Sequence, residues 1–521
     1  MNLLTDTVFR VRTPGGTNGA SLPELLALLG EDQVESLPGL QRHQEDAFHI
    51  FCCYLAGAVL TRAGDTNPAQ SPEYWREGIR TLTRDDGCAD DSAWTLVVDD
   101  PTKPAFMQAP APNSEVFGRD YKPDAETPDK LDVLITSKNH DVKNSRAANA
   151  DSEAWLFALI SLQTTTGLLG KGGGGGMNRG IGRMNKGYGS RPRVGWQATT
   201  RAGPQFGRDV SVLLATRATL LQPPHPYAQS GKVLLWIAPW DGSGSCALAS
   251  LDPFFIEIAR RVRLRCEVTG IRAYASGSAA NFVAGDQLAG NLGDPWTPIT
   301  QKTNGALTVQ EHGFTPELLQ KLIFGDGYTP AAMQRADSSA AGGWFSASVL
   351  VRGQGRTDGF HSSTIRVPEK PRIALFGGGA ARDRLALLSK KGIDAASTIH
   401  YKALRPALFS LMEGGPDSIA VDKAEIAKWV DHASNPFALN WNPRYFDWLW
   451  STVEIPNDDE ALRPWFNELR RLGQDTLGRA AERAPQRHGR SYRAKTKAQG
   501  MFFGSLKKNF PQFMEVTHDQ P

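Results

Sequence analysis

At 521 residues the chain exceeds what one hydrophobic core usually serves, so two or more domains are expected. A hydrophobic share of 40% with 22% charged residues describes a globular chain and excludes a disordered or fibrous one. Lys and Arg (58) nearly balance Asp and Glu (55), which excludes a globally basic surface; any binding of a polyanion has to come from local patches.

Ser21-Leu22-Pro23-Glu24 opens a short helix through Leu29, with Pro in the first turn and Gly30 after it. Residues 41–61 read as a buried helix, apolar on most faces around Phe48, Phe51, Leu55 and Val59, and His49 within it reads as a satisfied core side chain. Ser71-Pro72-Glu73 starts another helix over 71–82. Isolated strands are predicted at 94–98 and 131–135, the second followed by a polar loop over 137–146. Asp151 or Ser152 caps a helix whose apolar face uses Trp155, Leu156, Leu159 and Ile160.

Further strands are predicted at 210–215, 232–237, 347–352 and 372–376, joined by Gly/Ala/Ser-rich connections, notably 275–293. From Ala380 onward the signals are almost only helical: 384–391, 399–412, 420–432, 437–453, 459–484 and 497–510. The predicted fold class is therefore α+β, a large mixed α/β N-terminal domain over 1–376 and a C-terminal helical bundle over 377–521. Phe437, Trp441, Tyr445 and Trp448 follow helical spacing and read as bundle core.

Five cysteines (Cys52, Cys53, Cys88, Cys246, Cys266) form no CxxC pair and no Cys/His cluster at zinc spacing. An odd count with no signal peptide suits the reducing cytoplasm. The longest apolar run, 48–60, is interrupted by His49 and is too short to cross a bilayer, so no membrane segment is expected. HExxH, GxSxG and zinc-deaminase motifs are missing. Gly170-Lys171 superficially matches a phosphate-binding P-loop, but Gly172 stands where Ser or Thr is needed and Thr165 where the first glycine belongs. We therefore predict no catalytic centre, no metal and no cofactor.

One stretch stands apart. From Ala154 to Arg208 there is no Asp or Glu, yet there are eight Lys or Arg, and 11 of the 23 residues from Gly167 to Gly189 are glycine. A backbone without Cβ atoms can be approached closely and can turn its N–H groups toward an anion, while basic side chains without acidic neighbours attract phosphates. A plain linker is the alternative, but a linker has no need of Lys171, Arg179, Arg183, Lys186, Arg191 and Arg193 interleaved with Asn178 and Asn185. The stretch reads as a loop that contacts nucleic acid.

Three other constellations carry suitable donors. The 137–144 loop offers Lys138, Asn139 and Lys143, with a solvated turn as the alternative. Gly377-Gly378-Gly379-Ala380-Ala381-Arg382-Asp383-Arg384 reads as a strand–glycine turn–helix junction bearing two arginines, against a plain interdomain turn. Arg479, Arg483, Arg487, Arg490, Arg493 and Lys497 recur at steps of four and three, although Pro485 and Gly489 should break a helix there.

Several short motifs then fall in a telling order: Met1-Asn2-Leu3-Leu4-Thr5-Asp6, Phe106-Met107-Gln108, the glycine stretch with Gly187-Tyr188-Gly189-Ser190-Arg191-Pro192, Gly355-Arg356-Thr357-Asp358-Gly359-Phe360-His361, and Phe376-Gly377-Gly378 ahead of the helical end. Over nearly its whole length the chain resembles the CasA family, the large subunits of the type I-E CRISPR surveillance complex Cascade. The resemblance implies that the C-terminal bundle has four helices and that the subunit itself performs no catalysis. It also implies recognition of the protospacer-adjacent motif (PAM) in target double-stranded DNA, through a glycine loop, a lysine finger and a wedge hairpin that pries the first base pairs apart, followed by recruitment of a helicase-nuclease.

Carried over by position, the glycine loop matches Gly170, Lys171, Gly172, Gly173, Gly174, Gly175 and Gly176, with Asn178 and Arg179 beyond it. The wedge matches Gly378, Gly379, Arg382, Asp383 and Arg384. The loop that meets the crRNA 5′ end and the other Cascade subunits matches 135–143, with Lys138, Asn139 and Lys143. The chain departs from the family pattern at Arg382 and Asp383, where amides are common. It departs again in 273–294, where a lysine finger is implied and no Lys occurs; Arg272 and Lys302 flank the gap. A scaffold subunit that only holds RNA, and a nucleotide-dependent nucleic-acid enzyme using the glycine loop for phosphate, are the rival readings.

Overall fold

The Glu45–Ala63 helix has no polar face: every residue from Ala47 to Leu60 except His49 is buried. A helix that is apolar all round has to be covered on all sides, and this one is packed by the Pro72–Asp85, Ser152–Thr165 and Ala202–Leu220 helices and by the Leu251–Ile256 strand. Two glycines allow the closest approaches. A Cβ on Gly57 would meet Leu213 Cδ2 at 3.0 Å, and one on Gly78 would meet Val59 Cγ1 at 2.3 Å.

A computed structural model describes residues 1–132, 151–165, 185–186, 189–190, 192–285, 288–336, 341–353, 356–412, 424–484 and 488–514. The chain divides into two compact units, Met1–Phe314 with Gly327–Arg366, and Thr315–Asp326 with Val367–Pro521. The first is mixed α/β and the second is helical, so the α+β organisation expected from the sequence is the one observed.

In the first unit the sheets are small, and Leu251–Ile256, the strand against the central helix, pairs in parallel with Lys232–Leu234. Phe9–Thr13 pairs with Gly16–Ala20, and Gly270–Ser276 lies between Arg261–Glu267 and Lys122–Pro123. Gly342–Gly353 lies between Arg193–Gln197 and Arg356–Pro368, with Ala347 opposite Val194 and Ser348 opposite Arg193. Helix starts follow the sequence signals. The Ser71 hydroxyl accepts from Tyr74 N–H at 3.2 Å, and Glu24 accepts from the Ser21 N–H at 2.7 Å.

The second unit is organised around Gly392 on the Gly379–Thr398 helix. The Trp448 and Trp465 rings stack there with centroids 4.9 Å apart, and Trp465 Nε1–H donates to the Gly392 carbonyl at 3.0 Å. A Cβ at Gly392 would lie 2.3 Å from Trp448. Phe437 and Tyr445 are fully buried and Trp441 is half-buried beside them, as their helical spacing predicted. The chain then widens into a π-helix over Ile399–Leu404 before continuing as Arg405–Met412. Pro406 explains the widening, because it has no N–H for the Lys402 carbonyl and its ring crowds that oxygen. The Ser505 hydroxyl takes up the stranded carbonyl at 2.6 Å.

Several predicted elements differ. Residues 210–215 form part of the Ala202–Leu220 helix, whose buried Val210, Leu213, Arg217 and Leu220 recur at three and four, so a short apolar run was read with the wrong period. Residues 372–376 belong to the Glu369–Phe376 helix, started by Pro368 and Glu369. Where a strand was predicted at 94–98, a single 3₁₀ turn over Asp91–Trp94 is followed by an isolated bridge from Thr95 to Asn2. Leu131 ends a short helix, Pro128–Leu131, and residues 133–135 of the strand predicted there lie outside the described residues. The gap predicted between the 420–432 and 437–453 helices lies inside one continuous helix over Ala424–Trp441, and the break comes at Asn442-Pro443.

Replacing Ser505 with Ala leaves the Lys402 carbonyl without its partner and should cost about 1 kcal/mol. The check is chemical denaturation of the full chain; a Ser505→Ala variant as stable as its parent would remove the hydroxyl from this role.

Candidate nucleic-acid interface

The candidate residues Lys138, Asn139 and Lys143, and Gly170 through Gly176 with Lys171, Asn178 and Arg179, lie outside the described residues. The structure does describe what holds both ends of each segment. Before the first, the buried Asp132 carboxylate accepts from His43 Nε2 and Gln44 Nε2, each at 2.6 Å. After it, Asp151 caps the Ser152–Thr165 helix by accepting from Ala154 N–H at 2.8 Å, while Glu153 takes the Arg10 N–H at 2.7 Å and pairs with its guanidinium.

The second segment leaves from the other end of that same helix. There Gln163, fully buried, makes four hydrogen bonds. Its amide nitrogen donates to the carbonyls of Met107 (2.7 Å) and Arg260 (3.1 Å), and its oxygen accepts from Ala259 (2.9 Å) and Arg260 (2.8 Å) N–H. With the amide nitrogen and oxygen both engaged, the end of the helix is locked to the turn before the Arg261–Glu267 strand. The two segments therefore depart from opposite ends of a 14-residue helix, about 20 Å apart.

The glycine-rich segment returns into an ion network. Arg193 pairs with Asp46 at 2.7 Å and reaches Asp209 at 3.6 Å. Asp209, 1% exposed, also accepts from His49 Nε2 (2.8 Å), Gln205 Nε2 (2.9 Å) and Arg208 (2.6 Å). These cations and the His49 bond hold the Asp209 carboxyl down at about 2, although burial opposes them. Burial, reinforced by Arg193, pushes His49 below its ordinary value despite Asp209, so the neutral ring donates its Nε2–H. His49 is thus a partnered core histidine, as its sequence context predicted. The neighbouring Cys52 and Cys53 thiols are pushed far up by burial and are not nucleophiles.

The remaining candidates form a corner between two helices. Gly378 (φ +72°) and Gly379 (φ +67°) both take the positive φ that favours glycine, at the turn that links Glu369–Phe376 to Gly379–Thr398. Arg382 donates to the Phe324 carbonyl at 2.7 Å, at the C-terminal end of the Pro316–Phe324 helix, where the dipole favours a cation. Arg384 pairs with Asp458 at 3.0 Å and donates to the Ile455 carbonyl at 2.5 Å, tying its helix to the start of Asp458–Arg483. Asp383 is exposed.

No protein-family model matches the chain, and no curated protein does. Solved structures do. The CRISPR-associated protein Cse1 from Acidimicrobium ferrooxidans superposes with a TM-score of 0.63 at 14% identity, over 99% of this chain and 99% of that one. Thermus thermophilus CasA (Cse1) gives 0.60 at 14% identity over 98% and 99%, and Thermobifida fusca Cse1 gives 0.59 at 13% over 99% of each. The chain has the Cse1 fold. At such identities the likeness concerns the fold, and the residues have to be argued on their own chemistry.

Two features were only partly legible in the sequence. Gly342–Gly353 and Arg356–Pro368 form a long hairpin that makes up two strands of the three-stranded sheet, while the turn at 377–379 is a helix corner. Gly-Gln-Gly-Arg at 353–356 was the available signal, a glycine-flanked turn between two β-branched and aromatic runs. The basic series is divided between two helices, as expected, although Gly489 lies inside the second and does not break it. Arg479 and Arg483 are exposed at the end of Asp458–Arg483, and Arg493 is exposed on His488–Asn509. Among the described residues no cluster of His, Cys, Asp and Glu is placed to hold a metal, and no helix is long and apolar enough to cross a membrane.

The depressed Asp209 carboxyl adds stability above about pH 4 and loses it as pH falls through about 2. An Asp209→Asn variant should be less stable at pH 7 by about 3 kcal/mol and should show a flatter stability profile between pH 4 and 2. Urea unfolding across that range is the measurement, and parallel profiles would dismiss the network as the anchor.

Proposed function

We propose that this chain is the large subunit of a type I-E Cascade complex. In this reading it recognises the PAM in target double-stranded DNA, helps open the duplex for R-loop formation, recruits the helicase-nuclease and performs no catalysis itself. The support is the Cse1 fold along 99% of this chain and of the Acidimicrobium ferrooxidans protein, joined to the acid-free glycine stretch whose two ends are fixed in buried structure. Its partners are target DNA, the crRNA 5′ end through the Lys138, Asn139 and Lys143 loop, and the other Cascade subunits. Its place of action is the cytoplasm.

The chemistry is consistent with groove reading by backbone. The minor groove offers few distinguishing groups, so a loop of main-chain atoms accepts several related PAMs and rejects a guanine amine that clashes. Each opened base step costs about 1.4 kcal/mol, which groove and phosphate contacts have to offset until guide pairing takes over. Replacing Gly172 through Gly176 with Ala should reduce target binding by the assembled complex to the level of PAM-lacking duplex while leaving assembly intact. Undiminished PAM-dependent binding would refute the reading.

Two elements compete for the strand-opening role. One is the corner at Gly378 and Gly379 with Arg382, Asp383 and Arg384, in which Arg384 positions the helix through Asp458. The other is the Gly342–Gly353 and Arg356–Pro368 hairpin, the long hairpin among the described residues. Arg382→Ala should slow R-loop opening on linear DNA more than on negatively supercoiled DNA if the corner acts, and shortening the hairpin should do so if the hairpin acts. Equal slowing on both DNAs removes the element tested from this role.

A further inference from the structure

From Arg483 to Met514 the chain has a second acid-free stretch, with eight Lys or Arg and no Asp or Glu. Most of it is the His488–Asn509 helix of the second unit, to which the Cascade reading gives no role. One side of that helix is held by Ala494, Ala498, Phe502 and Leu506, each at most 1% exposed. Phe502 packs so closely over Gly473 that a Cβ there would meet its ring at 2.7 Å. Close packing therefore fixes which side of the helix faces outward.

At 3.6 residues per turn, Tyr492, Thr496, Gln499 and Phe503 fall on one outward stripe about 60° wide. Arg493 and Lys507 flank it on one side and Lys495 on the other, all three exposed. None of these three has an ion-pair partner among the described residues. Tyr492 is 81% exposed and Phe503 36%. Cations alone would read as a solvated face. Two rings in line between them, about 16 Å apart along the axis, are what a solvated face does not need.

A nucleic-acid single strand matches both features. Its phosphates suit the cations and its unpaired bases suit the rings, whatever the sequence, because every base has a π-face. A duplex keeps its bases stacked on one another and offers only phosphates, and an acidic peptide likewise engages only the cations. We propose that the outward face of His488–Asn509 is a binding site for single-stranded nucleic acid of any sequence, with bases stacked on Tyr492 and Phe503 and phosphates on Arg493, Lys495 and Lys507. DNA and RNA strands share this chemistry, and either can be the source.

Fluorescence anisotropy of the full chain with labelled oligothymidine and with labelled oligouridine tests the two sources. Tyr492→Ala should weaken binding of at least one strand ten-fold, and Tyr492→Phe, which keeps the ring, should restore it. Both variants should bind PAM-lacking duplex within two-fold of the parent. Lys495→Gln should lower the slope of log affinity against log salt by about 0.7 for the bound strand. No strand binding by the parent, full affinity in Tyr492→Ala, an equal loss on duplex, or an unchanged salt slope each overturns the proposal. Displacement of the strand by polyglutamate with no effect of Tyr492→Ala also overturns it, and would mark the face as a surface for an acidic protein. The measurement involves neither guide RNA nor PAM, so its failure stands apart from that of the Cascade reading.

Discussion

The Asp209 carboxylate is the constraint on which the candidate interface depends. It sits at 1% exposure where the Glu45–Ala63 helix, the Arg193–Gln197 strand and its own Ala202–Leu220 helix converge. Burying one carboxylate alone is prohibitive, and burying it with matched cations and hydrogen bonds is tolerable. Here Asp209 and Asp46 are balanced by Arg193 and Arg208, with His49 and Gln205 filling the remaining acceptor positions. Because removing any one of these leaves a buried charge exposed to its neighbours' field, the group behaves as a unit. The end of the glycine-rich segment is therefore set by electrostatics, whereas its beginning is set by the hydrogen bonds of Gln163.

Fixing those ends matters because glycine is expensive to order. Restricting one residue's backbone costs about 1–2 kcal/mol, and more for glycine, so five consecutive glycines ordered only on contact would cost on the order of 5–10 kcal/mol. That equals the whole margin of about 4–10 kcal/mol that separates specific from non-specific DNA binding. A glycine loop can read a groove only if much of that cost is met beforehand. Roots held by Gln163 and by the Asp209 network meet part of it, since a chain whose ends are fixed in place and direction has fewer conformations to lose.

The long helices were legible because their signals agree at several levels. Ser71-Pro72-Glu73 sets a cap, a first turn and an acidic N-terminus together, and the Asp458–Arg483 helix begins with Asn457 and three acidic residues. Short apolar runs were not legible, because 210–215 and 372–376 satisfy a strand pattern and a helix pattern equally, and only the tertiary environment chooses. The acid-free glycine stretch could be singled out by composition alone. The Asp209 network could not, since its members are 160 residues apart between His49 and Asp209 and no local pattern marks them. His49 was assigned a satisfied core role on burial alone, and the partner that satisfies it came only with the fold. Of the long hairpin at 342–368, the strand expected at 347–352 was legible, whereas its neighbour Arg356–Pro368 was not, and the third strand of the sheet, Arg193–Gln197, lies far away in sequence.

Net charge also constrains how the chain would act within the proposed complex. With 58 basic against 55 acidic residues, the surface as a whole supplies little steering toward DNA. In the proposed reading, attraction comes from the eight basic residues between Ala154 and Arg208, of which Arg193, Arg201 and Arg208 pair with Asp46, Asp32 and Asp209. The stretch thus commits part of its basic charge to holding the fold. Under the proposed function the subunit alone would have a salt-sensitive hold, because each phosphate contact is worth only the counterions it releases. Within the proposed complex that sensitivity is useful. A subunit that held any duplex tightly would stall on non-target DNA, whereas one that holds weakly and opens only the first steps hands the decision to guide pairing, where mismatches carry the cost.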